Sequence, residues 1–253
     1  MMVKAKKHLG QHFLKDANIA NKIAYSLINK DNLPVLEIGP GTGVLTKELI
    51  TRDFDLTLIE IDTESVSFLE DNFYSDTFRL IQGNFLKMDL NEYFDTELCI
   101  IGNFPYNISS QIFFKMLENR NKIPELCGMI QKEVAERIIS KHGNKTYGIL
   151  SVLIQLYYKV DYLFTVNENV FVPPPKVKSA VIRMQRYRIK IENIDEKKIF
   201  TVVKTAFNQR RKTLRNSLKS LTTEDTDLNN PIFNLRPEQL SPNDFIELTN
   251  LIK

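Results

Sequence analysis

The sequence predicts an α/β protein: a doubly wound, Rossmann-like sheet of seven mostly parallel strands, followed by a small α-helical domain. Three observations carry that expectation. Short apolar runs alternate with helical periodicities over about the first 140 of 253 residues, the order that builds a parallel sheet with helices on both faces. The first of these runs leads directly into a glycine-rich turn, Gly39-Pro-Gly-Thr-Gly43. After Arg188 the pattern turns wholly helical.

Taken in order, residues 35–38, 56–61, 79–82, 98–101 and 128–130 read as buried strands, each a brief run dominated by apolar side chains. Between them, residues 45–51, 63–72, 109–119 and 132–141 repeat apolar side chains at helical spacing. Residues 158–166 and 179–186 add two more strands. They flank Phe171-Val-Pro-Pro-Pro-Lys-Val, whose three successive prolines are expected to exclude both helix and ladder pairing. Residues 196–207, 210–221, 237–240 and 243–252 then read as helices, with a polar loop at 222–230. A boundary near residue 188 divides the chain into a domain of residues 1–187, opening with a basic segment at 1–15, and a second domain of residues 188–253.

The composition, 43% hydrophobic and 26% charged, excludes global disorder. No apolar run approaches the ~20 residues that cross a bilayer, and the N-terminal MMVKAKKHLGQHF lacks the apolar core of a signal peptide. Cys99 and Cys127 lie in apolar runs, as small buried thiols do in a reducing compartment, and no Cys/His cluster has metal-ligand spacing. A cytoplasmic protein without bound metal or membrane partner is expected. The net charge of +3 is unevenly spread: residues 204–219 hold Lys204, Arg210, Arg211, Lys212, Arg215 and Lys219 with no acid. Lys4, Lys6, Lys7 and Lys15 form a second acid-free stretch. Such runs suit either a solvated helix face or a polyanionic partner.

The glycine turn departs from the dinucleotide fingerprint, because Val44 stands where the last glycine of G-x-G-x-x-G belongs. A pyrophosphate therefore loses its seat on the following helix. Acidic Glu37, just before the turn, would repel phosphate and favour a cation. Glu60 ends the next strand 21 residues after Gly39, where a carboxylate can accept both ribose hydroxyls. A nucleoside bearing a cation and no phosphate fits this set, which is the description of S-adenosylmethionine. Gly39 and Gly41 would let the backbone approach it closely.

Asn103-Phe-Pro-Tyr106 closes the fourth strand, at the ligand-binding end of such a sheet. An exocyclic adenine amine is a poor nucleophile because its lone pair is delocalised into the ring. The Asn103 oxygen and a neighbouring backbone carbonyl, that of Phe104, could accept its two N–H bonds and localise the pair. Pro105 would stiffen the peptide, and Tyr106 would stack on a base swung out of its own stack. Attack on a sulfonium methyl is then governed by proximity, without a strong base.

Seven segments now point the same way: Lys7-His-Leu-Gly-Gln-His-Phe-Leu14, Leu36-Glu-Ile-Gly-Pro-Gly-Thr-Gly43, Gly102-Asn-Phe-Pro-Tyr-Asn-Ile-Ser109, Gln131-Lys-Glu-Val, Tyr147-Gly-Ile-Leu-Ser151, Val172-Pro-Pro-Pro-Lys-Val-Lys-Ser-Ala-Val181 and Ala206-Phe-Asn-Gln-Arg-Arg-Lys-Thr-Leu-Arg-Asn-Ser-Leu218. Together they resemble the ribosomal RNA adenine dimethyltransferases, nearest to the small-subunit (16S) members, from the N-terminal segment into the C-terminal helices. The resemblance implies a class I methyltransferase sheet and dimethylation of two adjacent adenosines near the 3′ end of 16S rRNA, within an immature small ribosomal subunit. It implies cofactor contacts from His12, Leu14, Gly39, Glu60, Asn84 and Asn103, with Tyr106 and Phe171 holding the target adenine between them. Two positions depart from the family pattern: His12, where Asn is frequent, and Asn84, where Asp is frequent and the charge is lost.

The acid-free run then reads as an RNA-binding helix, with Arg210, Arg211, Lys212 and Arg215 on phosphates and Lys4, Lys6 and Lys7 as a mobile arm. On that reading, replacing Arg210 and Arg211 together by alanine flattens the salt dependence of RNA association. Three alternatives compete: a resistance-type methyltransferase of large-subunit (23S) RNA, a non-catalytic assembly or transcription factor on the same fold, and, more remotely, a nicotinamide-dependent dehydrogenase. A monomer is expected, since nothing in the sequence calls for an obligate dimer.

Overall fold

The computed structural model describes residues 3–253; the first two residues of the basic segment lie outside the described residues. The chain opens with a two-residue strand β1 (Phe13–Leu14) and helix α1 (Ala17–Ser26). Asp16 starts α1 by accepting the amides of Asn18 and Ile19 at 2.9 and 3.1 Å, satisfying donors that the helix itself leaves unpaired. Strands and helices then alternate: β2 (Val35–Ile38), α2 (Val44–Ile50), β3 (Leu56–Glu60), α3 (Thr63–Asn72), β4 (Arg79–Gln82), β5 (Cys99–Asn103), α4 (Ser109–Glu118), β6 (Glu125–Gln131) and α5 (Lys132–Ile139). Next come α6 (Ile149–Gln155), β7 (Tyr158–Val166), β8 (Phe171–Val172), β9 (Ser179–Arg186), α7 (Glu196–Asn208), α8 (Leu214–Ser217) and α9 (Pro242–Leu251).

The seven-stranded sheet has the order β4-β3-β2-β5-β6-β9-β7. The pairs from β4 to β6 are parallel, and β9 runs antiparallel to β6. Strands β2 and β3 are buried along their whole length, which is why they read as mainly apolar runs, with Glu37, Thr57 and Glu60 the polar exceptions. Ala20, Ile23 and Ala24 of α1, with Leu27 just after it, pack with Leu45 and Leu49 of α2 in the same core as Val35, Leu58, Ile101 and Met129. Each Leu or Ile so buried contributes roughly 1.5–3 kcal/mol.

Two compact units divide the chain, one of residues up to Ala135 with Val160–Arg186, the other of Glu136–Lys159 with Tyr187–Lys253. The expected domain of residues 1–187 is thus interrupted. The inserted stretch belongs to the helical unit, where the Tyr147 ring meets Phe207 edge-on at 6.0 Å and Phe207 stacks on Phe245 at 5.9 Å.

Other expectations are corrected. A ladder does form at the proline run: Phe171 and Val172 pair with Leu14 and Phe13, and pairing ends where the prolines begin. The expected helix 210–221 shrinks to α8, with Arg210–Lys212 in a turn. The Arg210 guanidinium donates to the carbonyls of Lys145 and Asn144 at 2.6 and 3.0 Å, and the Leu214 amide donates to Leu235 rather than along a helix. The expected helix 237–240 is a short 3-10 turn, Pro237–Gln239.

Candidate active site

In an open α/β sheet the ligand crevice lies beyond the carboxyl ends of the strands, where their order reverses. Here the reversal falls between β2 and β5. A cavity of about 260 Å³ opens there, walled by Gly39, Gly41, Glu60, Asn84, the Asn103–Tyr106 segment and residues 8–13.

The turn after β2 supplies one wall. Gly41 and Gly43 adopt left-handed φ angles of 57° and 74°, a region that penalises any residue with a Cβ. Space forbids one as well: a methyl on Gly41 would lie 2.8 Å from the Phe13 ring. Glu60, ending β3, is 3% exposed. Its Oε2 accepts the Gly41 amide at 3.1 Å, and its Oε1 accepts the amides of Ile61 and Asp62, both at 2.8 Å. Burial nevertheless raises its pKa, with those amides acting against the rise. Both lone pairs of Oε1 are thereby engaged, and Oε2 keeps one for a hydroxyl donor.

Glu37 is more extreme. It is 1% exposed and lines a second, smaller cavity of about 20 Å³ with Leu14, Gly39 and Asn103. Burial pushes its pKa up to about 8, although Thr46 Oγ1 donates to it at 2.7 Å. A group so placed gains its charge when a cation arrives.

Asn103 ends β5 with its Nδ2 donating to the His12 carbonyl at 3.0 Å, which leaves Oδ1 as an acceptor. Tyr106 is held by a hydrogen bond between its hydroxyl and Ser179 of β9. The His12 ring lies 5.4 Å from the Tyr106 ring at 30°. His12 Nδ1 lies 2.8 Å from the Pro173 carbonyl; a carbonyl only accepts, so Nδ1 carries the proton there. Asn84 Oδ1 already accepts the Leu86 amide at 2.9 Å, so Asn84 offers a ligand its Nδ2 donors and a second oxygen lone pair.

The N-terminal segment is a wall and not a mobile arm. Lys6 forms ion pairs with Asp62 and with Glu64, the latter at 3.1 Å, and Gln11 also donates to Asp62. The Asp62 hydrogen bond is the main cause of a raised Lys6 pKa. Burial opposes ionisation of Asp62, but its contacts with Lys6, Gln11 and Ser65 outweigh it and hold the pKa below its usual range. Lys4 and Lys7 are exposed.

Three of the expected site residues make other contacts in the structure. Phe171 is 1% exposed and packed in the core against residues such as Leu14, so it does not face Tyr106 across the cavity; pairing with β1 turns it inward. Arg210 is taken up by the two carbonyls and a weak ion pair with Glu238 at 3.8 Å. Arg215 donates to the Leu228 carbonyl at 2.6 Å. Arg211 and Lys212 remain exposed. Asp62, Pro173 and Ser179 went unnoticed as site residues in sequence; only the Asp-Thr-Glu start of α3, an ordinary helix cap, marks one of them.

The profile of the family described as ribosomal RNA adenine dimethylase matches residues 2–252. The chain belongs to that family. The dimethylase family is therefore the frame for the cavity. A similar relative, ribosomal RNA small subunit methyltransferase A of Parabacteroides distasonis, is 59% identical over 98% of this chain and 94% of its own. Among solved structures, the fold resembles a dimethyladenosine transferase from Plasmodium falciparum, with a TM-score of 0.79 and 26% identity over 94% of this chain and 96% of that one. It also resembles the 23S rRNA methyltransferase ErmE, with a TM-score of 0.68 and 25% identity over 95% of this chain and 99% of the other. The dimethylase chain is an enzyme, a methyltransferase on a mixed, mainly parallel sheet.

Proposed function

We propose that this enzyme uses S-adenosylmethionine to dimethylate the N6 amines of two adjacent adenosines near the 3′ end of 16S rRNA, in an immature small ribosomal subunit, as a cytoplasmic monomer. The observation that carries the reading is the Asn103 amide. With its N–H side tied to the His12 carbonyl, the group presents an acceptor at the cavity, which is what a weakly nucleophilic amine requires. The 59% identical relative named as a small-subunit methyltransferase supports the choice of RNA.

The residues fit the cofactor. Glu60 keeps one Oε2 lone pair for a ribose hydroxyl, buried Glu37 is a latent partner for an ammonium group, and the glycine turn leaves room for close approach. When bound, S-adenosylmethionine supplies an electrophilic methyl group on a positive sulfur. Asn103 Oδ1 and the Phe104 carbonyl would accept hydrogen bonds from the amine N–H groups, Pro105 limits the freedom of that carbonyl, and Tyr106 offers its ring to the base. Proximity and alignment then lower the barrier. Exposed Lys4, Lys7, Arg211 and Lys212 serve as phosphate contacts, the last two within a helical RNA-binding unit.

The test is methyl transfer from labelled S-adenosylmethionine to unmethylated small subunits and, separately, to unmodified large-subunit RNA, with digestion to nucleosides. Dimethyladenosine in the small subunit alone is expected. Label in the large-subunit RNA would move the assignment to the 23S class, the activity of the similar structure ErmE. Binding of subunits without any transfer would indicate an assembly factor.

A further inference from the structure

Gly102 and Gly128 face each other across parallel strands β5 and β6, and neither has the positive φ that calls for glycine. Glycine in a strand interior weakens it, so a reason must lie elsewhere. That reason is the ring of Phe104. A methyl on Gly102 would sit 2.8 Å from one edge of the ring and 2.7 Å from the Ile38 carbonyl oxygen, and a methyl on Gly128 would overlap the other edge. The ring is 1% exposed and meets Phe113 of α4 edge-on, with centroids 6.4 Å apart. The Phe104 amide donates to the Met129 carbonyl at 3.0 Å. A fully buried side chain is thus anchored between Asn103 and Pro105, both of which wall the cavity.

We propose that Gly102 and Gly128 form a slot without side chains that seats the Phe104 ring, and that this seat fixes the Phe104 carbonyl and the Asn103 amide against the target amine. Phe104 through its ring, and Gly128 through the space it leaves, are positioning residues for turnover. The proposal rests on the methyl-transfer reading given above. The cofactor contacts of Glu60, Glu37 and the glycine turn lie on other elements, and only Asn103 is shared with the seat, so the seat acts chiefly on kcat.

Three variants test it: Phe104→Leu, Gly128→Ala and the two combined. Rates are expressed per folded molecule, counted by S-adenosylhomocysteine binding. Each single variant is expected to lower kcat about tenfold, in keeping with the cost of small misplacements, while the Kd for S-adenosylhomocysteine stays within about twofold. In the double variant the alanine methyl occupies the space the shorter leucine leaves, a volume-conserving exchange, and kcat recovers to within about threefold of the unaltered enzyme. Unchanged kcat in Phe104→Leu, or losses that simply add in the double variant, would overturn the proposal. If Gly128→Ala does not fold, Phe104→Leu decides alone, with kcat reduced while S-adenosylhomocysteine binding is kept. Absence of transfer by the unaltered enzyme on any RNA would overturn the functional reading, and the seat's role with it.

Discussion

Asn103 and Glu37 show how one strand end and one strand interior divide the work. Asn103 keeps an acceptor at the cavity because its donor side is engaged by His12. Asn103→Ala is expected to lower methyl transfer by ~10²-fold or more, as loss of an oriented polar group at a reacting centre does, with RNA affinity within a few-fold. Turnover near the unaltered rate would mean the tetrapeptide is only a turn. For Glu37, burial raises the folded pKa to about 8 from an ordinary 4.5. The folded state therefore holds a proton that the unfolded state has lost. The stability due to that proton is complete below pH 4.5 and disappears as pH rises through 8. The melting temperature of the cofactor-free protein should fall across this window, and Glu37→Gln should flatten the slope; an unaltered slope would sink the assignment. Binding of the cationic cofactor near pH 7 should also release protons. Calorimetry in two buffers of different ionisation enthalpy reads this directly.

The elements around the cavity differ in how far their roles could be read in advance. The glycine turn, Glu60 and Asn103–Tyr106 are local motifs at strand ends, so a linear pattern exposes them. The N-terminal wall is another matter: Lys6 and Asp62 are 56 residues apart, and His12 and Pro173 are 161 apart. No period links them, and a strand of two residues is too short to alternate, so β1 and β8 carried no signal. Phe171 was misplaced for that reason. The wall makes its own prediction. Lys6→Ala should weaken S-adenosylhomocysteine binding several-fold while leaving the salt dependence of RNA association unchanged. Asp62→Ala should in addition cost about 1 kcal/mol of stability, since Asp62 caps α3 through the Glu64 amide. A Lys6→Ala protein with intact cofactor binding and a shallower salt slope would return Lys6 to the RNA.

At the scale of the whole molecule, charge counts marked residues 204–219 as basic but could not tell which cations the fold itself consumes. Backbone carbonyls engage half-buried Arg210 and also Arg215, which stays exposed like Arg211 and Lys212. Arg211→Ala with Lys212→Ala should therefore reduce the slope of log K against log salt by roughly 1.4–1.8, two phosphate contacts' worth. Arg210→Ala should mainly lower the melting temperature. A slope that responds to Arg210 and not to the other pair would reverse this division. The helical unit also shows why one linear boundary fell short: residues 136–159 reach it from the middle of the chain, and their own periodicity says nothing about which core they join.

The latch between His12 and the Pro173 carbonyl, with the short β1–β8 ladder beside it, gives the enzyme's synthesis a direction. The wall of the cavity emerges first from the translating ribosome; Asp62 and Asn103 follow within about 90 positions, but the Pro173 carbonyl and β8 emerge only some 160 positions later. A nascent chain truncated before Phe171 contains the glycine turn, Glu60 and the Asn103–Tyr106 segment, yet lacks β8, the strand that pairs with β1. Competence to grip the methyl donor is therefore acquired late, after almost the whole sheet has been made.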